Sequence, residues 1–312
     1  MNSTFQPRVL VAFIALAVLA GPVTSFVLGP GEIGSDYLGP AGAAVASGAA
    51  GATLLGAAAL RRERLPRASQ WIAMLALLAP QWLEGLLALP GIRGLSALHG
   101  TPWGVAFLVA LAAPLWLALL SALQAIRDEV PRAVSGASIA GMGAVCLMVP
   151  GSAYTVTPKE IPVAVVQVLL GVLTVFSWSY AKPRLAASGT FAVAGCFALL
   201  TALGSVAMLP FTPSMPAPLE WREAMLPLLL AALLNAVMWW LWFWLLQRMT
   251  LAAFGMRALA AWTAAIAPGF LVFGFLSWRA DVAVGISLCA LVVALRARAA
   301  DEQPLALGLE SP

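Results

Sequence analysis

Glu84 and Arg257 stand inside long apolar runs, and they are the first residues in this chain whose types suit chemistry. A charge at the bilayer centre costs about 2.5–3.5 kcal/mol on insertion scales, so such side chains turn toward a cavity, a partner or a proton path. Glu84 lies about 14 residues into its run, roughly 21 Å along a helix axis, and Arg257 about six residues into its own, roughly 9 Å. Depths so different argue against a direct salt bridge between them. Glu84 reads either as a pathway-lining carboxylate that carries protons or as a structural carboxyl bonded to a neighbouring helix. Arg257 reads either as a side chain snorkelling to the headgroups or as part of the pathway. Polar amides accompany them. Gln81 stands 33 residues before Pro114 and Asn235 stands 33 before Pro268, so the two occupy matching places and either contact a solute or bridge helices. Trp239, Trp240, Trp242, Phe243 and Trp244 form the densest aromatic group. Trp244 suits an interfacial belt, whereas Trp239 and Trp240 lie deeper, where one of them is a candidate to face a cavity with Trp82, Trp116 or Trp262. Aromatic walls suit aromatic or amphipathic solutes and, through their ring faces, cations.

The elements that must position these residues follow from composition. Of 312 residues, 62% are hydrophobic and only 10% charged, which makes the chain an all-α integral membrane protein. Each span needs about 20 mostly apolar residues. Ten such runs are available, at 9–29, 37–60, 70–90, 102–125, 133–150, 161–181, 189–209, 224–247, 251–276 and 280–297. They leave no room for a soluble domain. The second run is dominated by Gly39, Gly42, Ser47, Gly48, Gly51 and Gly56 among alanines, and small residues let helix backbones approach closely in lipid. Gly21 and Pro22 are expected to kink the first run, which lacks a clear cleavage site and reads as a retained helix.

Orientation comes from the basic residues. With a cytoplasmic amino terminus, twelve of them (Arg8, Arg61, Arg62, Arg64, Arg67, Arg127, Arg132, Lys182, Arg184, Arg248, Arg296 and Arg298) fall inside. Four (Arg93, Lys159, Arg222 and Arg279) fall outside. This is the bias of a multi-pass protein of the bacterial inner membrane type with both termini cytoplasmic.

An internal repeat is also visible. The stretch Trp103 to Leu123 with Pro114, then Arg127-Asp128-Glu129, then Gly136-Ala137-Ser138-Ile139 has a later counterpart. That counterpart is Pro268, Arg279-Ala280-Asp281 and Gly285-Ile286-Ser287-Leu288. Two halves on one plan are implied, 1–150 and 151–300, with 301–312 as a cytoplasmic tail. Five spans per half is an odd number, so the repeat is inverted: ten transmembrane helices as two inverted five-helix repeats. Pro22, Pro114 and Pro268 are the expected hinges.

The run Ala106 to Met148, with its mid-helix Pro-Leu, charged turn and Gly-x-Ser-Ile helix, resembles the EamA-type module of the drug/metabolite transporter superfamily. So does the segment Gly171 to Tyr180 followed by Lys182-Pro183-Arg184, which is similar to the opening helix of that family's second module and brings Trp178 among the candidates. The resemblance covers nearly the whole chain in helix count and order, through loose motifs. It implies a ten-helix permease with a central cavity lined by the first four runs and the sixth to ninth, the fifth and tenth lying outside. The chain departs from the family pattern at two places. A glutamate usual at the end of the fourth and ninth helices is not cleanly placed, and a tryptophan usual in the first helix is missing between Ala15 and Phe26.

No Gly-rich phosphate loop, paired His and Cys, or metal-ligand spacing occurs. His99 is the single histidine, and Cys146, Cys196 and Cys289 all fall in apolar runs. No cofactor, metal, nucleic acid or ATP coupling is therefore expected, and the chain does not read as an enzyme. The expected function is a secondary-active permease or exporter of small metabolites working by alternating access, with protons as candidate coupling ion. The bilayer is its surroundings, and a monomer or homodimer its assembly. The alternatives are a membrane-embedded enzyme acting on lipid, with Glu84 as acid or base, and a non-transporting membrane assembly partner.

Overall fold

The computed structural model describes residues 11, 12, 15, 40–87, 132–148, 161–186, 188–211, 218–249, 251, 253–255, 257, 260 and 278–296. Among them every regular element is helical. In chain order these are α1 (Pro40–Leu60), α2 (Ala68–Leu87), α3 (Arg132–Met148), α4 (Ile161–Leu185), α5 (Thr190–Met208) with a 3-10 turn at Leu209–Phe211, α6 (Pro218–Arg248) and α7 (Trp278–Arg296). Among the described residues three stretches are long and apolar enough to cross a membrane by length and composition: Ala41–Leu60, Thr190–Met208 and Leu228–Arg248. Pro22, Pro114, Pro268, Trp116 and Trp262 lie outside the described residues.

Local chemistry sets the ends of these helices. Helix α1 stops where Arg62 adopts φ 55°. Glu63 N–H then donates to Ala58 O at 2.9 Å and Arg62 N–H to Ala59 O at 3.0 Å, the paired closing bonds of a Schellman ending. Helix α2 opens with the Arg67 N–H donating to the Gln70 side chain at 2.6 Å, half of a capping box. Helix α6 begins on Pro218, whose missing N–H is one the first turn could not have used.

The main packing contact is between α1 and α5, and glycines make it close. A Cβ at Gly51 would come within 2.8 Å of Leu199 Cγ and 3.0 Å of Gly195 O; one at Gly195 would come within 2.8 Å of Leu55 Cγ and 3.0 Å of Leu55 N. Each glycine therefore seats the other helix's leucine. Gly48 meets Ala202 one turn further on, so the two helices run antiparallel. The exchange is reciprocal in sequence as well: Ala50-Gly51-x-x-x-Leu55 and Ala194-Gly195-x-x-x-Leu199 carry the same residues 144 positions apart. Helix α6 lies against both members of this pair, and α2 packs along α4.

Helices α3 and α7 pair chiefly with each other. Ser138 and Ser287 are both fully buried at this contact, while Gly136 and Gly285, two residues before them, are exposed. Ser287 Oγ donates to Gly141 O across the pair at 3.4 Å, and Ser138 Oγ donates to Val134 O within α3 at 2.8 Å. Outward faces are apolar. Val165, Leu169, Leu173, Phe176 and Tyr180 form one exposed stripe on α4, and Met225, Leu229, Leu233 and Val237 another on α6. Contiguous exposed apolar surface of this kind fits a lipid surround.

Candidate functional site

The aromatic residues of α6 build an inner wall with α4 and α5. Trp239 meets Phe197 edge-on at 4.7 Å, Phe243 meets Phe197 at 5.3 Å, and Trp178 lies 5.3 Å from Trp242. Trp242 also meets Phe254 edge-on at 4.7 Å. Edge-to-face pairs of this spacing are the favoured aromatic geometry, worth about 0.5–1.5 kcal/mol each beyond area burial. Trp178 and Phe243 are packed into the core, whereas Trp239 is half-buried.

Two buried indole N–H groups of the bundle are left without partners. The indole Nε1 atoms of Trp82 and Trp242 are buried and make no hydrogen bond. Asn235 is half-buried on α6. Trp82 lies on Gly204 of α5, where an added Cβ would collide with the indole. Helical rise puts Trp82, Gly204 and Asn235 each about 20 Å from the ends of their helices at Ala68, Thr190 and Arg248. Pro80, inside α2, has no N–H to give, so the helix also lacks its bond to the carbonyl four residues back.

Those same helix ends are tied together by polar side chains. Gln247 donates to Leu185 O and Ser188 O, both at 3.2 Å, and accepts from Thr190 Oγ1 at 2.6 Å. Gln70 donates to Arg184 O at 3.0 Å, and the Glu63 carboxylate accepts from Ala192 N–H at 3.0 Å. The carboxylate thus satisfies an otherwise orphan donor in the first turn of α5, where its charge also suits the helix dipole.

Lys182 lies one residue beyond the apolar run that ends at 181, and its Nζ donates to Met249 O just past α6. Arg257 also approaches Met249, Nη1 to Sδ at 4.0 Å, and is only 4% exposed. Its guanidinium is therefore held within the protein. Burial lowers the Lys182 pKa from 10.5 to about 8. Between pH 8 and 10.5 the folded state then binds fewer protons than the unfolded chain, so stability gains from this group as pH rises through that window. The unfolding temperature of detergent-solubilised protein should rise over that range, and Lys182→Met should flatten the rise. An unchanged slope in the variant would show that the buried amine does not contribute.

Trp178, Trp239, Asn235, Trp82 and Arg257 belong to this bundle. The backbones of Gln81 and Glu84 lie in α2, and their side chains are outside the described set. Trp116 and Trp262 are outside it entirely. Sequence reasoning missed Met249, Gln247, Gln70, Glu63 and Gly204. Only Gln70 carried a signal, three residues after the cap position of α2; Gln247, Glu63 and Gly204 act through partners more than 50 residues away, and Met249 through Lys182 as well as the nearer Arg257.

Among known proteins, no family profile matches this chain and no curated protein does. Solved structures do. The crystal structure of another protein superposes with a TM-score of 0.67 at 20% identity, over 93% of this chain and 99% of that one. At that identity the likeness is one of fold.

Proposed function

We propose that this protein is a secondary-active transporter of the drug/metabolite transporter type, moving small metabolites by alternating access. In this reading it has ten membrane-spanning helices in two inverted five-helix repeats, 1–150 and 151–300, and both termini lie in the cytoplasm of a bacterial cell. The observation that carries the reading is a pair of buried, unpaired indole N–H groups in an apolar bundle, those of Trp82 and Trp242, with the half-buried Asn235 on the same helix as Trp242. A buried donor left without a partner costs about 1–3 kcal/mol, which is offset if a solute or water uses it.

Two packing features support the inverted repeat. In a two-fold contact, residue i meets j and the equivalent of j meets the equivalent of i, and the Gly51–Leu199 and Gly195–Leu55 contacts obey that rule. The Gly-x-Ser segments of α3 and α7 bury the same member in both copies. The pairing of α3 with α7 also fits fifth and tenth helices lying to one side of the pathway.

The aromatic wall favours aromatic or amphipathic solutes, cationic ones included. Proteoliposomes holding an imposed proton gradient should therefore accumulate a fluorescent amphipathic aromatic amine faster than protein-free vesicles. Asn235→Leu should lower the initial rate about tenfold, the value of one lost hydrogen bond. Equal rates with and without well-folded protein across a panel of such amines would count against this substrate class.

A further inference from the structure

At the tied end of the bundle, a ladder of rings on α5 and α6 is closed at both ends by arginine. The Arg61 guanidinium lies over Phe191, 4.5 Å from the ring centre. Phe191 stacks on Trp240 at 5.5 Å and 20°, and Trp240 contacts Trp244 at 6.4 Å. The Arg248 guanidinium lies over Trp244 at 4.1 Å. All three rings are half-buried and both arginines exposed.

The charge of this region is unbalanced. Arg61, Arg62, Arg64, Arg67, Arg184 and Arg248 are exposed, and among the described residues none of them forms an ion pair. Glu63, the acidic residue of the same loop, gives its carboxylate to the Ala192 N–H. Each guanidinium carbon sits over its ring, and the N–H edge of a guanidinium matches phosphate oxygens in a bidentate fork. Rings of this size at a helix end suit the boundary between headgroups and acyl chains.

We propose that Arg61 and Arg248 hold phosphate groups of anionic phospholipid, with the upper acyl chains lying along Phe191, Trp240 and Trp244. The strip is an annular lipid site at the cytoplasmic interface. It does not depend on the transport reading. Because the two guanidiniums close one ring ladder, their joint loss removes the site, whereas loss of two loop arginines only lowers general surface charge.

The test uses the full-length protein in phosphatidylcholine nanodiscs with and without phosphatidylglycerol, reading retained lipid by native mass spectrometry and stability by thermal unfolding. The wild type should retain phosphatidylglycerol over phosphatidylcholine and unfold at higher temperature in its presence; no preference would overturn the proposal. Arg61→Gln with Arg248→Gln should weaken retention about thirty-fold, from the loss of two charge-assisted phosphate contacts. Arg62→Gln with Arg64→Gln, an equal change of charge, should weaken it by about threefold at most, since these exposed loop charges act through solvent and are screened by salt. Equal losses in the two doubles would mean diffuse attraction, and no loss in the first would mean no site. Matching unfolding temperatures in pure phosphatidylcholine establish that the first double is folded; if it is not, Arg61→Lys with Arg248→Lys keeps the charge, and full retention by that variant would rule out the guanidinium fork. Inorganic phosphate alone should not reproduce the stabilisation, and if it did, the ligand would be a free anion and not a lipid.

Discussion

Gly51→Ala and Gly195→Ala should each destabilise the protein by about 1–3 kcal/mol, the usual range for overpacking a filled interior, and by similar amounts. Both positions seat a leucine from the opposite helix, and each added methyl also meets backbone: Gly195 O at 3.0 Å in the first case and Leu55 N at 3.0 Å in the second. Larger side chains should prevent the α1–α5 pair from forming. Leu199→Ala should recover part of the Gly51→Ala loss, and Leu55→Ala part of the Gly195→Ala loss, since each removes the flexible half of the clash. The carbonyl and amide halves would remain. Thermal unfolding in detergent reads all of these, and tolerance of alanine at one glycine but not at the other would contradict the reciprocal contact.

Glu84→Gln should abolish the pH dependence of uptake while leaving folding and membrane insertion largely intact. Glu84 is the acidic residue placed deepest in an apolar run, and α2 carries it about 24 Å from the Ala68 end by helical rise. Carboxyls in such positions mark ion and proton paths. The amide keeps the shape and removes the titration, so the variant separates a proton carrier from a structural carboxyl. Uptake with unchanged pH dependence would dismiss the proton role, and the fold and the permease reading would stand without it.

The helices that hydropathy located best are those with sharp chemical ends. Expected spans at 37–60 and 189–209 became Pro40–Leu60 and Thr190–Met208, because Arg61 and Gly189 end or begin those runs in both chemistry and backbone geometry. The span expected at 161–181 continues to Leu185. Lys182 and Arg184 interrupt the apolar pattern but not the helix, since their side chains reach Met249 O and Tyr180 O from within it. Likewise α6 starts at Pro218 and not at 224, because its first turns are polar and hydropathy does not register them.

Which helix meets which was less legible. The small residues of α1 announced close packing, yet nothing in that stretch names Leu199 as the side chain Gly51 receives. The recurrence of Gly-x-Ser at 136–138 and 285–287 was visible, whereas that of Ala-Gly-x-x-x-Leu at 50–55 and 194–199 is lost among many alanines. The ties of Gln247, Gln70 and Glu63 are hydrogen bonds between helix ends distant in sequence, and no local pattern encodes them. Trp239 could be placed by depth alone; its contact with Phe197 depends on how α5 and α6 pack.

The central claim, a pathway reached alternately from the two sides of the membrane, is tested most directly by one cysteine at position 235. Cys146, Cys196 and Cys289 are first replaced by alanine, and Asn235→Cys is then introduced into a right-side-out and an inverted membrane preparation. A membrane-impermeant maleimide should label that cysteine from both sides, and a saturating amphipathic amine should slow labelling from each. Labelling from one side only, whatever the ligand, would contradict alternating access and favour a site open to a single membrane face.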